Sequence, residues 1–245
     1  MGSADMPKQY LQLGSKPIIV HTIEKFVVNP GIDRIIVLCP KAWIAHTKDL
    51  VKKYLGEAIA EKINVVEGGS TRNGTLENAL KFINENFAID DDSVIVTHDA
   101  VRPFVTHRII DENIEAAKKY GACDTVIPAT DTIVRSEDSE NVSSIPTRSE
   151  LYQGQTPQSF RIKELESVLN SLTEDKKIGC QQGTTRNSFS LPEDEKNTLT
   201  DACKIYTIKN KPVRIVDGEV FNIKITYTYD LKVANALLGV VNNDK

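Results

Sequence analysis

The sequence predicts an α/β protein whose sheet is mainly parallel and covered by helices on both faces. Two observations carry that expectation. Short β-branched runs alternate with longer stretches of helical periodicity, the order expected of βαβ units. The residues able to do chemistry also cluster where such strands end, which is where ligands bind in open α/β sheets.

In chain order, Ile32 to Leu38 reads as a buried strand and Lys41 to Leu55 as a helix. Ile63 to Glu67 is a short strand, Thr75 to Phe87 a helix, and Ser93 to Thr97 an apolar strand. Arg108 to Tyr120 is a charged amphipathic helix, and Asp124 to Pro128 is strand again. The pattern then changes. Asp131 to Arg135 and Val142 to Ile145 read as two strands joined by the polar turn Ser136 to Asn141, a hairpin that should project from a parallel sheet. A helix is expected near Ile162 to Leu172. Lys176 to Lys196 is polar and reads as a surface loop or disordered insert. A strand over Phe221 to Thr226 and a helix from about Asp230 to Leu238 complete the chain.

The 245 residues suit one large α/β domain or two small ones. With 40% hydrophobic and 26% charged residues, the composition is that of a soluble globular protein. A net charge of −4 gives no sign of nucleic-acid or anionic-membrane binding, while leaving room for a local phosphate site. Cys39, Cys123, Cys180 and Cys203 are far apart and form no Cys-x-x-Cys pair, so neither a zinc site nor a disulfide framework is expected. That usage, with no membrane-length apolar run and no signal-like N-terminus, points to a reduced, cytoplasmic setting.

Three segments carry candidate chemistry. Gly68-Gly69-Ser70-Thr71-Arg72-Asn73-Gly74-Thr75 follows a strand and opens a helix. Glycines admit close backbone approach and a helix N-terminus attracts anions, although on spacing alone a plain turn capped by Ser70 or Thr71 is the favoured reading. No Gly-Lys-Ser/Thr follows, so this is not a Walker loop. In Thr97-His98-Asp99-Ala100-Val101-Arg102-Pro103-Phe104, Asp99 places a carboxylate at the sheet's carboxyl edge, suited to Mg²⁺ arriving with a nucleotide. Pairing of Asp99 with Arg102 is the plainer alternative. His98 reads as a packing or hydrogen-bonding residue rather than a base. In Asn222-Ile223-Lys224-Ile225-Thr226, alternation turns Lys224 away from its apolar neighbours, towards solvent or towards a site. No Ser-His-Asp or Cys-His arrangement is legible. Lys, Arg and one Asp around glycine-lined turns are the parts of a phosphate-transfer site.

Together with Pro7-Lys8-Gln9-Tyr10-Leu11 and Gln155-Thr156-Pro157-Gln158, these segments resemble the cytidylyltransferases of the isoprenoid and teichoic-acid pathways, over nearly the whole chain. The resemblance implies a Rossmann-like nucleotidyltransferase fold of one domain, residues 1–245, with a projecting β-arm at 131–150 that builds a homodimer. It implies CTP and a polyol phosphate as substrates, with no nucleic acid or membrane as partner, and Mg²⁺ as cofactor. Lys8 and Lys224 would neutralise charge on the triphosphate and the reacting phosphorus. Asp99 would hold Mg²⁺ or the nucleotide ribose. Gly69, Arg72, Thr75 and Ala100 would bind the nucleotide. Arg102, Thr132, Arg148 and Thr200 would serve the acceptor side.

Two branches of the family compete. Tyr152-Gln153, where the other branch usually has Leu-Trp, and Thr130, where it usually has Arg, resemble the ribitol 5-phosphate branch. The alternative acceptor is 2-C-methyl-D-erythritol 4-phosphate. The family also opens on a strand and a glycine-rich loop of which Met1-Gly2 resembles only the tail. Either the start is misassigned or the chain is truncated, and truncation favours a relative that binds or dimerises without turning over; a plain nucleotide-binding module is a separate third reading.

Overall fold

The computed structural model describes residues 6–179 and 202–243, without side-chain detail for 172–179 and 240–243. A small antiparallel pair, β1 (Gln12–Leu13) and β2 (Lys16–Pro17), leads into α1 (Ile18–Val27). Next come β3 (Ile35–Cys39), α2 (Ile44–Leu55), α3 (Glu57–Ala60), β4 (Ile63–Glu67), α4 (Arg72–Asn86), β5 (Val94–Thr97), α5 (His107–Tyr120) and β6 (Ala122–Pro128). After residues 130–150 follow β7 (Tyr152–Arg161), α6 (Ile162–Gly179), α7 (Ala202–Ile208), β8 (Arg214–Asp217) and α8 (Thr228–Asn243).

The α/β expectation holds. β3 and β4 pair in parallel, and a second sheet has the order β5-β7-β6-β8. In that sheet β6 and β8 are parallel, while β7 runs antiparallel to both its neighbours, β5 and β6. Side-chain alternation along β7 shows how the helices sandwich the sheet. Phe160 packs with Leu165 and Val168 of α6 and with Ile205 and Tyr206 of α7. Its neighbour Ser159 turns the other way and donates from its hydroxyl to Asn113 Oδ1 of α5 at 3.2 Å. Thr106 caps α5, accepting from the Ile109 N–H. Gly121 then ends the helix at φ 90°, a conformation that costs a residue without Cβ little.

Several boundaries differ from those the sequence suggested. β7 reads poorly as a strand because it is polar and contains Pro157, yet pairing on both edges holds it extended. β8 is likewise a strand where none was expected. Conversely, Phe221 to Thr226 is not a strand. Its backbone is held by single contacts instead, Ile225 N–H to the Val101 carbonyl at 2.9 Å and Arg102 Nη1 to the Asn222 carbonyl at 2.8 Å. α6 runs on to Gly179, into the expected insert, and the rest of that insert and, beyond it, Thr200 lie outside the described residues. The expected hairpin at 131–150 forms no regular strands, only the antiparallel bridge between Arg135 and Ser144. Its turn is knotted by Asp138, whose carboxylate accepts from Ser136 Oγ and from the N–H groups of Glu140 and Asn141. Those bonds hold the Asp138 carboxyl well below the usual range. Every residue from 130 to 150 is exposed.

One gap interrupts the layer of strands. Among the described residues β3 pairs only with β4 and β5 only with β7, and both line a cavity of about 1130 Å³. Among the described residues no helix is long and apolar enough to cross a membrane.

Candidate active site

The carboxyl ends of β4 and β5 meet at the mouth of this cavity. Beyond β4 the chain turns sharply at Gly69, where a Cβ would lie 2.3 Å from the Gly74 carbonyl carbon. Only glycine fits so close an approach. Thr75 Oγ1 accepts from the Gly69 N–H at 3.0 Å and lies 2.8 Å from the Thr71 carbonyl. Thr71 caps α4 by accepting from the Gly74 N–H. Thr71 is thus the N-cap expected of this segment, and the turn also presents Arg72 to the cavity mouth.

Beyond β5, Asp99 gathers three cations. Arg72 Nη2 lies 2.5 Å from one carboxylate oxygen. Lys224 Nζ at 3.0 Å and Arg102 Nε at 3.4 Å share the other. Burial alone would raise the Asp99 carboxyl, but Lys224, Arg72 and Arg102 outweigh it and hold the group below its ordinary value. One negative charge among three positive ones leaves a net cationic pocket in a chain of net charge −4. Such a pocket suits a polyanion.

Arg102 does more than pair with Asp99. Its guanidinium donates to the Asn222 carbonyl at 2.8 Å and reaches the Gly154 carbonyl at 3.5 Å. Asn222 Nδ2 in turn donates to Gln155 Oε1 and to the Thr156 carbonyl. This lattice delivers Lys224, two residues after Asn222, to Asp99. Arg102 is 8% exposed, so its contacts serve the loop that carries the site.

His98 lies on the cavity wall beside Phe26, with ring centroids 5.1 Å apart. Burial pulls its pKa down to about 4, so the ring is neutral at pH 7 and the reading of His98 as a hydrogen-bonding residue fits.

Gly69, Arg72, Thr75, Asp99 and Ala100 all line the cavity, and Arg102 and Lys224 close on Asp99 beside it. Lys8 sits in a single 3-10 turn, Lys8–Tyr10, anchored by Tyr10 stacking on Trp43 at 4.7 Å. Thr132 and Arg148 lie on the exposed 130–150 segment, where Arg148 Nη1 reaches the Thr130 carbonyl at 3.3 Å. No described contact brings these three to Asp99 within the chain. Sequence reasoning missed Thr156 and Asn222 as parts of the site, because the β7 register that brings them there is not written in local pattern.

Residues 1–240 match the family described as IspD, 2-C-methyl-D-erythritol 4-phosphate cytidylyltransferase. The chain belongs to this family. It is a nucleotidyltransferase, a CTP-dependent cytidylyltransferase. Solved members share its fold. The 4-diphosphocytidyl-2C-methyl-D-erythritol synthase of Anaerococcus prevotii is 27% identical over 97% of this chain and 92% of its own, with a TM-score of 0.74. The Francisella tularensis 2-C-methyl-D-erythritol 4-phosphate cytidylyltransferase is 27% identical over 96% and 94%, with a TM-score of 0.73. The Thermus thermophilus enzyme of the same name, at 24% identity over 94% and 93% and a TM-score of 0.64, matches in fold. These matches back the methylerythritol branch, and the expected closeness to the ribitol 5-phosphate branch is not supported by them.

Proposed function

We propose that this cytidylyltransferase moves CMP from CTP to 2-C-methyl-D-erythritol 4-phosphate. The observation that carries the reading is the Asp99 cluster, a single carboxylate held among Arg72, Arg102 and Lys224 at the end of a glycine-lined turn. An acceptor phosphate oxygen attacks the α-phosphorus of CTP in line. The bond from that phosphorus to the β-phosphate bridging oxygen breaks, and pyrophosphate leaves. The nucleophile is already ionised, so no general base is needed. Catalysis then rests on positioning and charge. Lys224 and Lys8 neutralise the triphosphate and the reacting centre, Arg72 and the Gly69–Thr75 turn face the nucleotide, and Arg102 holds Lys224 and Asp99 in register.

Among the described residues no group of three or more His, Cys, Asp or Glu side chains could hold a metal. A lone carboxylate nevertheless fits Mg²⁺ that arrives on phosphates, since that ion commonly takes only one or two protein carboxylates. Asp99 would hold it, and the ion would add positive charge at the triphosphate.

Thr132 and Arg148 would bind the acceptor phosphate of a neighbouring subunit. Supporting this are the exposed 130–150 segment and its bare apolar side chains, Val134, Val142 and Ile145 among them. A lone ribbon of this kind gains by packing on a twofold copy of itself.

The test of the acceptor is pyrophosphate release from CTP with each polyol phosphate. Release should be more than about tenfold faster with methylerythritol phosphate than with ribitol 5-phosphate, a preference of about 1.4 kcal/mol in the transition state. Equal rates would overturn the preference for methylerythritol phosphate, and reversed rates would return the assignment to ribitol phosphate, as Tyr152-Gln153 suggests. No release with either would favour a relative that only binds or dimerises.

A further inference from the structure

We propose that His98 and Thr156 are positioning residues that aim the Asp99 carboxylate, an inference that rests on the phosphate-transfer reading of the Asp99 cluster. The sheet register brings them together. Thr97 of β5 pairs with Gln158 of β7, so the antiparallel strands place Thr156 beside the chain as it leaves β5. There the Asp99 N–H donates to Thr156 Oγ1 at 3.1 Å, and Thr156 Oγ1 lies 3.0 Å from His98 Nδ1. On the far side of the ring, His98 Nε2 lies 3.0 Å from the Arg102 carbonyl oxygen.

The polarity of this chain is forced. A carbonyl oxygen only accepts, so Nε2 carries the ring proton. Nδ1 is then an acceptor, and the Thr156 hydroxyl must donate to it. The same hydroxyl oxygen is thereby left to accept from the Asp99 N–H. The Arg102 N–H closes the circuit by donating to the Asp99 carbonyl at 3.0 Å. Both backbone groups of Asp99 are thus pinned, and only its side chain is left to meet Arg72, Arg102 and Lys224. Thr156 also fixes the opposite partner. Its carbonyl accepts from Asn222 Nδ2 at 3.0 Å, two residues before Lys224. One residue of β7 therefore registers both ends of the Asp99–Lys224 pair. Alignment of this kind matters because a catalytic group displaced by a fraction of an ångström loses rate without losing fold.

The test compares Thr156→Val, which keeps shape and loses the hydroxyl, with Thr156→Ser, which keeps the hydroxyl. In the Val variant kcat for CMP transfer should fall about tenfold, the scale of one lost hydrogen bond, while KM for CTP changes less than about twofold. The Asp99 amide should exchange with solvent about tenfold faster in the same protein. Ser should recover most of both. Ring ¹⁵N shifts of the unmutated protein should show His98 as the Nε2–H tautomer, a readout that needs neither a variant nor activity. A folded Val variant with unchanged kcat and unchanged Asp99 exchange would overturn the proposal, as would the Nδ1–H tautomer. Failure of the parent to transfer CMP to any acceptor would sink the reaction assignment instead. Amide exchange and the tautomer would still decide whether His98 and Thr156 hold Asp99.

Discussion

The Asp99 cluster and the 130–150 segment carry the two halves of the expected site, and they are built in opposite ways. Around Asp99 each group is held by another. The carboxylate meets three cations, its backbone is bonded on both sides, and Arg102 and Asn222 brace the approach of Lys224. The 130–150 segment has one bridge and a turn organised by a single aspartate, and its side chains face water. The contrast teaches that pre-organisation and reach are separate requirements. In the proposed roles, charge stabilisation works from a rigid frame, whereas a group offered to another subunit would stand away from its own core.

The sharpest way to break the comparison is to remove a charge from each region. Lys224→Ala should lower turnover by roughly 10²-fold or more, the usual effect of losing one preorganised stabilising group. A rate within about threefold of the parent would make Lys224 a surface lysine. Mixing Arg148→Ala with Lys224→Ala chains should then restore up to about a quarter of the parent activity, if random exchange gives dimers with one intact composite site. No recovery after proven exchange would mean that Arg148 acts within its own chain.

Stability should divide along the same line. Arg102→Ala leaves half-buried Asp99 short of a partner and the Asn222 and Gly154 carbonyls without the guanidinium donor. It should cost about 3 kcal/mol, read from urea unfolding. Arg148→Ala should change unfolding by less than about 0.5 kcal/mol, as exposed substitutions generally do. A large loss from Arg148→Ala would show that the segment is held by its own chain more firmly than its single bridge implies.

The smallest effect is one of pH. His98 has a pKa of about 4 in the folded protein against 6.5 when unperturbed. Between those values the unfolded chain binds the extra proton, so acidification through this window favours unfolding. The Asp99 carboxyl, held low when folded, acts in the same direction, but its contribution is lost only as pH falls from about 4 through its lower folded value. His98→Gln should therefore flatten the stability profile between pH 6.5 and 4 while leaving the steeper acid limb. An unchanged slope in that window would mean that His98 protonates freely in the folded state.

The Asp99 cluster was partly legible in the sequence because Asp99 and Arg72 lie just beyond strand ends. A β-branched run announces β5, and the carboxylate that follows must stand at the sheet's edge. Arg72 follows from the glycine turn by the same logic. What could not be read was longer in range. β7 carries Gly154, Pro157 and polar side chains and resembles a loop, because its extended form is imposed by neighbours on both edges rather than by propensity. Phe221 to Thr226 erred in the other direction, with a strand-like alternation but no strand to pair with. Its extended run is held by Arg102 and Val101, and neither contact leaves a mark in the local sequence.

The cavity between β3 and β5 has a thermodynamic consequence. Among the described residues no strand pairing crosses it, so the β3–β4 unit and the β5–β8 unit are separate ladders, each able to lose its amide protection without unzipping the other. Side chains of α4 bridge the divide, with Leu80 and Ile83 in the cluster around Phe160, while the helix begins just after the turn that leaves β4. At the mouth, Arg72, at the start of α4 beyond β4, grips Asp99, just beyond β5. An ion that drew Asp99 away from Arg72 would therefore loosen the join between the two, and slow-exchanging amides should sort into two populations whose gap widens as that contact is lost.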